Sequence, residues 1–282
     1  MNKRIHSVWI ACGIFTALFI YTYSPALISI LERWIRIDEA YGHGFLIFII
    51  AIYLVYRLQD DISRIKPEPV RISLLPIAGI SLLWGISYFL DIEIIQQVLM
   101  PVLILSIILF ISGKSMFKLL LFPVCFIYFA IPVWDYLTGA LVGLTIYINK
   151  FMLTITHITA YIQGDSVLIP SGRIVIEGGC SGLRYLIICT ALTSLSSYLY
   201  LKHWKDAAIL VTTGIFIGLF INWTRVFTLI LIGYYSKMTS PLIKNHELYG
   251  WVLFAVFFFP VLILFRKSPS EELKESSDIA EP

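Results

Sequence analysis

The chain has 282 residues, 59% hydrophobic and 14% charged, with a formal net charge of +3. Soluble domains carry about a quarter charged residues, so this composition excludes a soluble globular protein and points to an integral membrane protein. The small charge excess argues against a nucleic-acid partner. Cys12, Cys125, Cys180 and Cys189 show no CxxC or Cys/His spacing, so no disulfide framework, metal site or cofactor is expected.

A helix needs about 20 apolar residues to span a bilayer. Such runs lie at roughly 8–31, 44–58, 72–90, 94–112, 115–133, 182–201, 207–235 and 249–265. The first follows Lys3 and Arg4 and reads as a retained signal-anchor. Arg57, Arg64, Lys66 and Arg71 follow the second run, Lys114 and Lys118 flank the fourth-to-fifth turn, and Lys202 and Lys205 separate the sixth and seventh. Arg266 and Lys267 follow the last run. The positive-inside rule therefore predicts a cytoplasmic N-terminus and C-terminus in a multi-pass plasma-membrane protein.

That topology requires 136–163 to start and finish outside. Asn149, Lys150 and His157 interrupt its apolar character, so an interfacial or re-entrant helix is expected there. In "GDSVLIPSGRIVIEGG", Val167–Ile169 and Arg173–Ile176 flank the turn-forming Pro170-Ser171-Gly172, which predicts a short extracytoplasmic β-hairpin. The expected fold class is an all-α polytopic membrane protein. It has about eight transmembrane helices, the outer helix and the hairpin, in one domain over 1–266. A polar segment over 267–282 reads as a disordered cytoplasmic tail.

Three segments carry groups able to do chemistry. In "EGGCSGLRYL", Gly178 and Gly179 precede Cys180, and a helix is expected from about Ser181. A cysteine at a helix N-terminus faces free N–H groups that favour a thiolate and receive an oxyanion. Arg184, four residues on, shares its helical face and adds a cation within reach, whereas Glu177 would oppose ionisation if close and not tied up by an arginine. In "NWTRVFTLI", Arg225 lies 18 residues beyond 207, about 27 Å along the axis, with Asn222 on its face. An arginine at that depth is costly unless it snorkels or faces a polar cavity. In "SPLIKNHELYGW", His246 precedes the last span and is a candidate general base and acid. Taken singly, the same residues also fit a structural cysteine, a snorkelling anchor and a surface histidine. Topology puts all three at one membrane face, where Cys–His–Arg is a coherent acyl-transfer set.

"EGGCSGLRYL", "NWTRVFTLI" and "HELYGWVLF", in this order and with "YGHGFLIF" and "FPVCFIYFAIPVWDYL" before them, resemble the exosortase/archaeosortase family of membrane cysteine transpeptidases, over about residues 40–265. The resemblance implies Cys180 as nucleophile, with Arg225 and His246 as its essential partners. It implies supporting or substrate-binding places for Glu177, Ser181, Arg184 and Asn222. Gly42 stands where serine is common in that family, so no role passes to His43. The implied partners are membrane lipids, an acceptor nucleophile and exported proteins. The implied tag on those proteins is a C-terminal Pro-Glu-Pro-like motif, a membrane helix and a basic cluster. Two other readings compete: a membrane hydrolase or acyltransferase without a sorting role, and a non-catalytic transport or export subunit.

Overall fold

The computed structural model describes residues 20–36, 40–176, 178–244 and 246–265. The first half of the first span with its signal-anchor reading, Glu177, and the tail over 267–282 lie outside the described residues. The described chain is an all-α polytopic membrane protein, with four helices long and apolar enough to cross a membrane and further, shorter apolar helices. The four are Arg71–Phe89, Glu93–Ser112, Pro132–Ile155 and Trp204–Tyr235. Two compact units divide the chain, Met1–Val133 and Trp134–Pro282.

The first unit holds α1 (20–35), α2 (Gly44–Arg57), α3 (Gln59–Arg64), α4 (Leu74–Phe89), α5 (Glu93–Ser112) and α6 (Lys114–Phe126). Helix α6 carries Pro123 inside it and gives way to a 3-10 turn, Ile127–Ala130. Two donors hold that turn: Trp34 Nε1 bonds to Ala130 O at 2.7 Å, and His43 Nε2 bonds to Phe129 O at 3.1 Å. Gly44 closes the same corner, because any side chain there would overlap the Trp34 ring. His43 is thus part of a structural staple between the start of α2 and the end of α6.

The second unit holds α7 (Thr138–Ile155), three strands, then α8 (Leu183–Tyr200), α9 (Trp204–Tyr235), α10 (Pro241–Lys244) and α11 (His246–Phe265). Strands β1 (Tyr161–Gln163), β2 (Ser166–Ile169) and β3 (Gly172–Val175) form an antiparallel sheet in that order, one strand more than the two expected. Val167 and Ile169 alternate onto its inner face and pack with Leu153, Ile176, Val226 and Ile230. The sheet therefore rests on α7 and α9 together.

The stretch expected to form an outer helix is helical as far as Ile155: a 3-10 turn, Pro132–Leu137, runs into α7, and the two together are long and apolar enough to cross a membrane. Asn149 does not break it because it is fully buried and back-bonds to the Thr145 carbonyl at 2.9 Å, while Lys150 points outward. His157, at φ +54°, lies just past its end.

Helix α8 is polar for a span yet deeply enclosed: nine of its 18 residues are buried, against two of 16 in α4. Thr190 and Thr193 satisfy their hydroxyls on the carbonyls of Leu186 and Cys189. Its neighbour α9 carries Gly214 and Gly218 on the facing side. A Cβ at Gly218 would stand 2.9 Å from Tyr185 O and 3.0 Å from Leu186 Cα. This small-xxx-small pair lets the two backbones touch and sets the height of everything further along α9.

Candidate active site

The Ile176 N–H donates to Asp165 O at 2.7 Å, tying the end of β3 back to the β1–β2 turn. Beyond Glu177 the chain makes a single 3-10 turn, Gly178–Cys180. Ser181 locks that turn: its N–H and its hydroxyl both donate to Gly178 O, at 3.1 and 2.6 Å. The Ser181 Oγ also accepts from the Leu183 N–H at 3.3 Å, which serves an orphan donor at the start of α8. Gly182 adopts φ +90°, a left-handed conformation that only glycine enters cheaply.

This local geometry corrects one expectation. Cys180 is not the first residue of a helix that continues through Arg184. Helix α8 begins at Leu183, and the left-handed Gly182 breaks the helical register, so the i, i+4 relation between Cys180 and Arg184 does not hold. Arg184 lies half-buried in the first turn of α8.

Helix α9 supplies the other side. Asn222 is fully buried, and its Nδ2 donates to Cys180 O at 2.9 Å and to Thr145 Oγ1 at 3.2 Å. One turn on, Arg225 is 4% exposed. Its Nη1 reaches Gly179 O at a long 3.5 Å, and its guanidinium lies 5.8 Å from the centre of the Tyr185 ring. Among the described residues Arg225 has no acidic partner, and its Nε is buried without a hydrogen bond. It therefore does not snorkel. A buried cation so thinly satisfied is expensive, and such groups mark functional positions.

Helix α11 abuts the same guanidinium. A Cβ on Gly250 would overlap the Tyr185 hydroxyl and stand 3.1 Å from Arg225 Nε. Glycine permits this approach. His246, the first residue of α11, precedes Gly250 by one turn and shares its helix face.

The structure thus brings Cys180, Ser181, Asn222 and Arg225 into one cluster, with Gly250 of α11 against it. Thr145 and Tyr185, unnoticed in the sequence, belong to it. A signal for Thr145 was present: it stands four residues before Asn149, and the two put a polar stripe on an otherwise apolar helix. Cys180 is half-buried and within reach from outside, whereas Cys189 is wholly buried in α8.

Gly182 offers a test of this local reading. A Cβ there would lie 2.7–2.8 Å from Asn222 side-chain atoms, whereas one at Gly179 meets nothing within 4 Å. Gly182→Ala is expected to lose about 1–2 kcal/mol from the left-handed backbone alone, and to push Asn222 off the Cys180 carbonyl. Gly179→Ala should be mild. Thermal stability of the two purified variants checks the contrast; equal melting points would sink it.

A family model described as transmembrane exosortase matches residues 34–263, most of the chain. No curated protein and no solved structure matches.

Proposed function

This chain belongs to the transmembrane exosortase family, whose general role is that of a sorting transpeptidase, and from that premise we propose that Cys180 is the nucleophile that cleaves a C-terminal sorting tag from exported proteins. The tag is a Pro-Glu-Pro-like motif followed by a membrane helix and a basic cluster. The observation that carries the reading is the convergence on one turn. Cys180 is half-buried, Asn222 holds its carbonyl and Arg225 that of Gly179, and α11 presses Gly250 against Arg225 one turn after His246.

In this mechanism His246 takes the thiol proton as Cys180 attacks the scissile carbonyl. It then returns that proton to the leaving amine. Arg225 stabilises the tetrahedral oxyanion, with the thiolate and the tag's acidic residue as its other candidate ligands. The tail departs, leaving a thioester that an acceptor nucleophile resolves. Ser181 supports the turn, and Arg184 and Glu177 serve as a supporting pair or as tag contacts. The domain comprises 1–266, with both termini cytoplasmic and the active site at the extracytoplasmic face. A substrate anchored by its own helix then presents its scissile bond at the height of the site, an advantage of proximity.

The product distinguishes this function from plain hydrolysis. When a tagged reporter is co-expressed with the enzyme in its host membrane, mass spectrometry of the shortened reporter should find its new C-terminus joined to an added amine or other nucleophile. A free carboxylate on every product molecule would assign the chain to the hydrolases instead.

A further inference from the structure

Thr145 is 1% exposed on α7 and makes two hydrogen bonds with its side chain. The hydroxyl donates to Ser181 O at 3.4 Å and accepts from Asn222 Nδ2 at 3.2 Å. The second N–H of that same amide donates to Cys180 O at 2.9 Å. One O–H and two N–H groups are each used once, with no donor left over. Turning the Asn222 amide over would aim its oxygen at the Cys180 carbonyl, so the network itself fixes the orientation.

The result is a closed circuit through three elements. It runs from Ser181 O to Thr145, on to Asn222, and back to Cys180 O. With Ser181 on Gly178 O and Arg225 on Gly179 O, four consecutive carbonyls of the nucleophile turn are held by side chains. A trans peptide is planar, with its N–H opposed to its C=O. Carbonyls drawn toward α7 and α9 therefore fix the planes of the Cys180–Ser181 and Ser181–Gly182 peptides, and with them the backbone that carries the Cys180 thiol. The N–H of the first of these peptides, that of Ser181, is itself bonded to Gly178 O, so this peptide is held at both ends.

We propose that Thr145 is a positioning residue: acting on the Ser181 carbonyl directly and on the Cys180 carbonyl through Asn222, it fixes the two peptide planes that follow Cys180 and so the direction in which the thiol is presented to a scissile carbonyl. This rests on the reading of Cys180 as nucleophile. A threonine that merely fills space and satisfies its own hydroxyl would support stability alone. A threonine that orients the turn supports the transition state, and misplacement there costs up to about 100-fold in rate.

The test uses the full chain in membranes with a reporter ending in a Pro-Glu-Pro motif, an apolar helix and arginines. Thr145→Val keeps the shape and removes the circuit; its kcat should fall by about 10- to 100-fold with KM nearly unchanged. Thr145→Ser restores the hydroxyl and should recover most of kcat. Turnover by Thr145→Val at the wild-type rate, a loss confined to KM, or failure of Thr145→Ser to recover would each overturn the proposal. If the valine variant does not accumulate, Thr145→Ala against Thr145→Ser at matched amounts decides in the same way. Cys180→Ala run beside them separates the two failures. Full processing without the thiol overturns the nucleophile reading, whereas thiol-dependent processing indifferent to Thr145 overturns this one.

Discussion

Cys180→Ala is expected to abolish the proposed tail cleavage, with a fall of at least about 10⁴-fold that leaves only the uncatalysed background. The variant loses one sulfur from a half-buried position at the edge of the apolar cluster under the sheet, so the protein should accumulate in the membrane at the wild-type amount. Cys180→Ser should be equally inactive, because an unactivated hydroxyl is a far weaker nucleophile than a thiolate. The readout is the size of the tagged reporter on a gel, with enzyme abundance measured in parallel. Normal shortening of the reporter by Cys180→Ala would end the transpeptidase reading.

Arg225→Met should lower processing by about 10²- to 10³-fold, the size of effect expected when a buried oxyanion donor is lost. What makes the case informative is the fold's indifference. The guanidinium makes one long bond to Gly179 O and its Nε is buried without a hydrogen bond, so an apolar side chain of similar length gives up little local bonding. Stability should hold while activity falls. Arg225→Lys keeps the charge but loses the planar fork that spans Gly179 O and the Tyr185 face, and should recover only part of the rate. Wild-type processing by Arg225→Met would return the arginine to a purely anchoring role.

Much of the helical layout was legible because lipid imposes a simple rule on sequence: backbone must pair with itself over long apolar runs. The runs near 72–90, 94–112 and 207–235 correspond closely to α4, α5 and α9. The rule misleads where protein replaces lipid as the surroundings. Asn149 reads as a break in an apolar stretch, yet inside the second unit it is fully buried against its own helix and neighbours, and α7 runs through it.

In the candidate site, Cys180, Asn222 and Arg225 announced themselves as polar residues in apolar surroundings. Thr145 gave only the weaker signal of its spacing to Asn149, since a threonine in a membrane helix usually satisfies itself on the preceding turn. Its partners lie 36 and 77 residues away, a separation no local pattern encodes. The left-handed Gly182 was hidden for the opposite reason. The residues after it suit a helix so well that one is expected from about Ser181, and only the backbone angle reveals that it starts at Leu183.

Gly250 carries a consequence for how the last helix is indexed. Where it touches Tyr185 and Arg225, α11 can neither slide nor rotate without driving a neighbouring side chain into that contact. The glycine therefore sets the phase of α11, and His246 is read off from it at a fixed offset of four residues, about 6 Å up the axis. An offset of three or five would swing the histidine about 100° around the helix. The interval between His246 and Gly250 thus works as a ruler, and in the proposed mechanism it fixes the point along α11 from which the histidine must act.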